Sequence, residues 1–133
     1  MPSRETASEL AQLAEGLLYQ SETDSSWEAF DWPDATGAVT PAEVRRRGRH
    51  EASSPVAQQT VDAFFAPLVA EQDWYGDEEK AGAAKYRLLL DAVKKLLRAA
   101  TIIQIGKRQV AVYVIGTASE GGWAGLKTLE VET

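Results

Sequence analysis

The spacing of apolar residues predicts two amphipathic helices. The first covers residues 6–18, where leucines recur on one side and Thr6 and Glu9 form a capping box at the start. The second and longest helix opens in residues 72–79, whose acidic side chains complement the positive end of the helix dipole. Its core stripe consists of Tyr86, Leu89, Leu90, Val93, Leu96 and Leu97.

Two shorter helices are marked by their first residues. Thr40 is a suitable N-cap and Pro41 suits the first helical position, so a helix begins there, and Gly48 ends it. Thr60 caps another short helix in the same way. The apolar positions of that helix are Val61, Phe64, Phe65 and Leu68.

Alternating and β-branched residues predict strands in much of the remaining chain. The predicted strands are residues 27–32, 56–59, 101–105, 110–117 and 126–133. Residues 21–26 are interpreted as a polar loop, and residues 116–125, which include Trp123, as a hairpin connection. Because the chain ends in a run of hairpin-linked strands, we expect an α+β fold with an antiparallel sheet covered by helices.

The composition is that of an ordinary globular protein with an acidic surface. The net charge is −6 and hydrophobic residues make up 44% of the chain, so we expect one domain over residues 1–133. The acidic balance argues against direct nucleic-acid binding, because Lys and Arg drive phosphate contacts. The chain has no cysteine, which excludes disulfides and thiolate chemistry. No apolar run approaches the roughly 20 residues of a membrane span, so we predict a cytoplasmic protein with no membrane partner.

None of the polar motifs forms a catalytic constellation. The only histidine, His50, lies in an arginine-rich loop and is interpreted as a solvated surface residue. The arginines at positions 45–49 are interpreted as a solvated face, and the glycines of residues 120–125 as a hairpin rather than a phosphate loop. Asp73 and the acids of residues 77–79 lack calcium-loop spacing and are explained by the helix dipole.

Three features favour a binding protein over an enzyme. The tail strand would hold the α-carboxylate of Thr133 at a fixed place, beside Glu132. Glu22 lies in the polar loop after the first helix, where composition alone predicts an ordinary exposed acid. Trp74 lies among charged residues before the longest helix, so an interface position and a core position are about equally expected.

Several stretches of the chain resemble the nuclease A inhibitor family. They are residues 16–22 (GLLYQSE), 27–32 (WEAFDW), 72–79 (QDWYGDEE), 84–86 (AKY), 112–116 (VYVIG), 124–126 (AGL) and 131–133 (VET). They keep their order from the first helix to the last residue. The stretch around Trp74 and the final three residues are the most specific parts of the resemblance.

The resemblance implies an α/β/α sandwich similar to plant pathogenesis-related protein folds. It also implies 1:1 inhibition of a sugar-non-specific DNA/RNA nuclease of the ββα-metal type, which uses a divalent cation such as Mg²⁺. In this family a C-terminal Thr reaches the metal of the nuclease and a loop Glu enters its active site; the matching positions are Thr133 and Glu22. A Gln and a Trp that make further contacts match Gln72 and Trp74. The protein would then be no enzyme and would hold no cofactor of its own.

Two other functions stay open at this point. An acidic binding module of the same fold would bind an unrelated basic protein or ligand, and its binding would not depend on Thr133. A carboxylate enzyme would use Glu22 and residues 77–79, and it would turn over a substrate by itself.

Overall fold

The computed structural model describes residues 2–119 and 121–131. In chain order the helices are α1 (Pro2–Ala14), α2 (Pro41–Arg47), α3 (Val61–Val69) and α4 (Asp77–Leu96). The strands are β1 (Leu18–Gln20), β2 (Asp24–Ser26), β3 (Glu28–Trp32), β4 (Val56–Thr60), β5 (Leu97–Ile105), β6 (Gln109–Ala118) and β7 (Trp123–Val131). Within the described part of the chain, none of the helices has the length and apolar character needed to cross a bilayer.

The five longer strands form one sheet in the order β3-β7-β6-β5-β4, and every neighbouring pair is antiparallel. The short strands β1 and β2 form a separate antiparallel hairpin. β7 lies between β3 and β6, so the strand predicted for the tail is held on both sides for part of its length. The predicted α+β class with an antiparallel sheet is confirmed.

The two faces of the sheet are covered by different elements, which confirms the sandwich arrangement. Alternate residues of a strand face opposite sides of the sheet. On one side Val110, Val112 and Val114 pack with Leu10, Ala14, Phe65, Leu89 and Val93, which come from α1, α3 and α4. On the other side Ala111, Tyr113 and Ile115 pack with Val44 of α2 and with Trp123.

The starts of the shorter helices are confirmed by their caps. The Thr40 hydroxyl accepts a hydrogen bond from the Glu43 N–H at 3.3 Å, and the Thr60 hydroxyl accepts one from the Ala63 N–H at 3.1 Å. α4 begins only at Asp77, with Gly76 as its N-cap. Residues 72–76 therefore lie before the longest helix rather than in it.

The first helix was predicted wrongly at both ends. α1 begins at Pro2, so Thr6 is a buried residue inside the helix and does not form an N-cap. The helix ends at Ala14 because Gly16 adopts a left-handed conformation with φ of +81°, which terminates helices. Leu17 stays buried after this turn, and Leu18 opens β1.

Two predicted loops contain more regular structure than their composition indicated. Residues 21–26 belong to the β1–β2 hairpin instead of a loop. Most of residues 116–125 lie in β6 and β7, since β6 ends at Ala118 and β7 begins at Trp123. Gly125 allows this close pairing, because a Cβ at that position would clash with the Val114 carbonyl oxygen.

Strand β5 begins four residues earlier than predicted, at Leu97. Its pairing with β6 is irregular between Arg98 and Thr101, where Ala99 adopts a φ of 51°. Such a bulge keeps the strand in the sheet while it accommodates an extra residue. The strand predicted over residues 56–59 is confirmed as β4, one residue longer.

Candidate functional site

Glu22 lies at the exposed tip of the β1–β2 hairpin. The turn is closed by the Ser21 N–H, which donates to the Thr23 carbonyl at 3.1 Å, and by the Ser21 hydroxyl, which donates to the same carbonyl at 3.1 Å. The exposure expected from composition is therefore confirmed, although Glu22 is carried by a turn of defined geometry rather than by a polar loop.

The tip of this hairpin is joined to the end of β7 by hydrogen bonds. The Glu22 N–H donates to the Val131 carbonyl at 3.2 Å, and the Val131 N–H donates to the Ser21 hydroxyl oxygen at 2.9 Å. One residue before Val131, Oε1 of Glu130 accepts a hydrogen bond from the Tyr19 hydroxyl at 3.0 Å. Further back, the Thr128 hydroxyl donates to the Ser26 carbonyl at 2.8 Å. The fold thus brings Glu22 next to the strand that leads to Thr133.

The predicted tail strand is confirmed as far as Val131. Along it Leu126 and Thr128 are buried, whereas Leu129 is exposed. Glu132 and Thr133, on which the predicted carboxylate site depends, lie outside the described residues.

Gln72 and Trp74 lie in an exposed turn immediately before α4. The Tyr75 N–H donates to the Gln72 carbonyl at 3.0 Å, which closes the turn. Trp74 is 75% exposed, and its ring meets the Tyr75 ring edge-on with centroids 4.7 Å apart. Of the two positions expected for Trp74, the core position is excluded.

The Gln72–Trp74 turn lies toward the same end of the sheet as Val131. α4 leads directly into β5, whose first residue, Leu97, pairs with Ala118 at the end of β6. Val131 pairs with Gln109 at the start of β6, which is the opposite end of the sheet. The Tyr86 hydroxyl, ten residues before the end of α4, donates to the Leu18 carbonyl of β1 at 2.7 Å, so α4 runs back from Leu97 toward the hairpin that is bonded to Val131.

The arginines of residues 45–49 are largely engaged within the fold. Arg47 forms two hydrogen bonds of 3.0 Å with the Asp34 carboxylate, and its guanidinium lies 5.7 Å from the centre of the Trp32 ring. Hydrogen bonds from Arg46, which has the larger effect, and from Arg47 lower the pKa of Glu43 to about 2. The surface position predicted for this cluster is confirmed for Arg46 and Arg49, whereas Arg47 is only 15% exposed.

His50 differs from the solvated residue that was predicted, because it is half-buried against the sheet. Its Nε2 lies 2.7 Å from the Tyr113 hydroxyl in a hydrogen bond, and the two rings meet edge-on. Burial lowers the pKa of His50, and the nearby charge of Lys127 lowers it further. His50 therefore acts as a packing residue of the face that α2 covers.

The acids of residues 77–79 occupy the first turn of α4, as the dipole interpretation predicted. Among the residues that the structure describes, no group of three or more His, Asp or Glu side chains is arranged to hold a metal ion. The residues that sequence reasoning missed are Ser21 and Tyr19, because their partners lie more than 100 positions away in the sequence.

Comparison with known protein families identifies the family of this chain. The family model described as "Nuclease A inhibitor-like protein" matches residues 4–133, which is nearly the whole chain. No curated protein matches the chain. The match includes the Glu22 turn, the Gln72–Trp74 turn and the tail strand. On this basis the chain belongs to the nuclease A inhibitor-like family.

Proposed function

We propose that this protein inhibits a sugar-non-specific, divalent-metal-dependent DNA/RNA nuclease by placing the carboxylates of Thr133 and Glu22 in its active site. The observation that carries the proposal is the match to the nuclease A inhibitor-like family over residues 4–133. Membership of that family supports a nuclease-inhibitor role in general. The proposed mechanism goes further and assigns roles to individual residues.

The pairing of Glu22 with Thr133 is supported by the contacts at the end of β7. The Glu22 turn is hydrogen-bonded to Val131 through both the N–H and the C=O of that residue. Two residues of chain span at most about 7 Å, so Thr133 stays within that reach of Val131. The carboxylates of Glu22 and Thr133 can therefore approach the same catalytic centre.

The chemistry of a nuclease site suits these groups. A catalytic metal such as Mg²⁺ is a hard cation that prefers oxygen ligands, and the site must also be cationic to hold a phosphodiester. In the proposed complex the Thr133 carboxylate binds the metal of the nuclease, and Glu22 binds the waters of the metal or nearby basic side chains. The inhibitor supplies no metal or cofactor of its own and carries out no reaction.

The Gln72–Trp74 turn would supply the contact surface beside the site. Trp74 is exposed and is directed by a closed turn, and such tryptophans are often the residues that dominate a protein interface. We expect a 1:1 complex of standard size, in which about 1,200–2,000 Å² of surface is buried. The net charge of −6 would speed encounter with a basic enzyme and disfavour direct binding to nucleic acid.

The proposal is tested by inhibition of a Mg²⁺-dependent non-specific nuclease with the untagged protein. Deletion of Thr133, and separately Glu22→Gln, should each weaken inhibition by at least about 30-fold, because each leaves a charged group of the nuclease without its partner. Ser26→Ala is a matched control on the hairpin, since its hydroxyl makes no hydrogen bond with the described residues.

The two alternatives give different results in the same experiment. Inhibition that survives deletion of Thr133 would keep the partner but contradict the metal-directed mechanism. A folded protein that inhibits no such nuclease would favour an acidic module that binds another basic partner. Turnover of a nucleic acid or another substrate by the protein alone would instead indicate an enzyme.

A further inference from the structure

The end of β7 is held by the β1–β2 hairpin where its neighbouring strand stops. β3 pairs with β7 from Trp32 opposite Trp123 to Glu28 opposite Lys127 and does not extend beyond Lys127. At Val131 the N–H and C=O that would face a continued β3 are bonded to Ser21 and Glu22 instead. The hairpin tip thus takes the place of a strand partner for the last described residue of β7.

Ser21 connects the two parts through a single hydroxyl group. Its oxygen accepts the Val131 N–H at 2.9 Å, while its own O–H donates to the Thr23 carbonyl at 3.1 Å. The same side chain therefore shapes the turn that carries Glu22 and fixes that turn to β7. An alanine at this position would remove both hydrogen bonds without changing any buried apolar contact, because Ser21 is exposed.

We propose that Ser21 is a positioning residue of the inhibitory site, whose hydroxyl locks the Glu22 turn to the end of β7 so that Glu22 is already in place when a partner binds. The proposal rests on the proposed function and deepens it. Groups that are held in place before binding lose less conformational freedom in the complex, so preorganisation increases affinity. The Tyr19–Glu130 hydrogen bond gives the same connection a second support, two residues before Ser21 and one residue before Val131.

The first arm of the test needs no nuclease. Amide hydrogen exchange at Val131, followed by NMR on the full chain, reports directly on the bond to Ser21. Ser21→Ala should speed exchange of the Val131 amide about three- to tenfold, as expected for the loss of one hydrogen bond. Ser21→Thr keeps a hydroxyl and should restore slow exchange, and Ser26→Ala should leave the Val131 amide unchanged.

The second arm measures inhibition of a Mg²⁺-dependent non-specific nuclease by the same variants. Ser21→Ala should weaken inhibition about three- to tenfold, and Ser21→Thr should restore it. In protein that carries Glu22→Gln, Ser21→Ala should add less than about a twofold loss, because the carboxylate that Ser21 positions is already gone. A general structural role would not give this dependence on Glu22.

The outcomes separate this inference from the proposed function. Faster Val131 exchange, together with an inhibition loss that depends on Glu22, supports the inference. Unchanged Val131 exchange in Ser21→Ala overturns it, and so does faster exchange with full inhibition. If the unaltered protein inhibits no nuclease, the proposed function fails and the inference fails with it, while the exchange arm still shows whether the hydroxyl holds the two segments together.

Discussion

Trp123 and Trp74 show two opposite uses of the same residue type. Trp123 is 2% exposed in β7, where its ring lies against Trp32 with centroids 6.4 Å apart and its indole N–H donates to the Gly37 carbonyl at 3.0 Å. Trp74 is 75% exposed in the turn before α4, and its ring contacts that of Tyr75. Folding buries nearly the whole side chain of Trp123 and little of the side chain of Trp74.

This difference explains why exposure is more informative than residue type when a binding surface is sought. A buried tryptophan contributes its area and its hydrogen bond to folding. An exposed tryptophan in a turn of defined geometry contributes little to folding and can bury its area against a partner. Substitutions in the two regions should therefore separate stability from inhibition.

The largest effect is expected from Trp123→Ala, which should lower the free energy of unfolding by about 3–5 kcal/mol. The substitution leaves a cavity between β7 and the loop that contains Gly37, and it leaves the Gly37 carbonyl without its donor. Urea denaturation followed by circular dichroism would measure this loss. Under conditions where the variant is folded, its inhibition constant should match that of the unaltered protein, and a large change in that constant would contradict the separation of the two regions.

Trp74→Ala should weaken inhibition about 30- to 1,000-fold and leave stability almost unchanged. Such a loss corresponds to about 2–4 kcal/mol of binding free energy, as for a residue that dominates an interface. Its free energy of unfolding should change by no more than about 0.5 kcal/mol, because the side chain is exposed. Inhibition assays and urea denaturation of the same preparation would check both values. Trp74→Phe should show an intermediate loss, and full inhibition by Trp74→Ala would exclude the turn from the interface.

The smallest effect is expected from pH, and it should come from the region of Trp123. His50 packs on Tyr113, which belongs to the same core cluster as Trp123. The pKa of His50 is lowered from the usual 6.5 by burial and by the charge of Lys127. The folded protein therefore binds this proton less readily than the unfolded chain, so stability is full above about pH 6.5 and falls as the pH drops below it. Urea denaturation between pH 8 and about pH 5.5 would measure the slope.

His50→Gln is the control for this pH dependence, because glutamine stays neutral over the whole range. The unaltered protein should lose more stability toward pH 5.5 than the variant does. Asp34 and Glu43 also titrate with lowered pKa values, but they do so below their usual range near pH 4 and outside this window. Equal slopes for the two proteins would show that His50 can accept a proton without disturbing its packing.

Much of the fold could be predicted from local sequence patterns. The caps at Thr40 and Thr60 act through hydrogen bonds three residues along the chain, so the starts of α2 and α3 depend on neighbouring residues alone. The alternating strands and the long amphipathic helix were also recognised, because their periods are visible in the sequence. The positions proposed for the site, Glu22, Gln72, Trp74 and Thr133, came from the resemblance of short motifs, and their role in binding stays a prediction.

The sequence by itself determined the fold class, most element positions and the family, because these depend on periodicity, caps and motifs that a single stretch of chain contains. The tertiary structure alone decided that residues 21–26 form a hairpin, that Trp123 is buried and that Ser21 bonds to Val131. Ser21 and Val131 are 110 positions apart, and Trp123 and Gly37 are 86 apart. Contacts at such separations arise only after the sheet has brought distant segments together, so no local pattern encodes them.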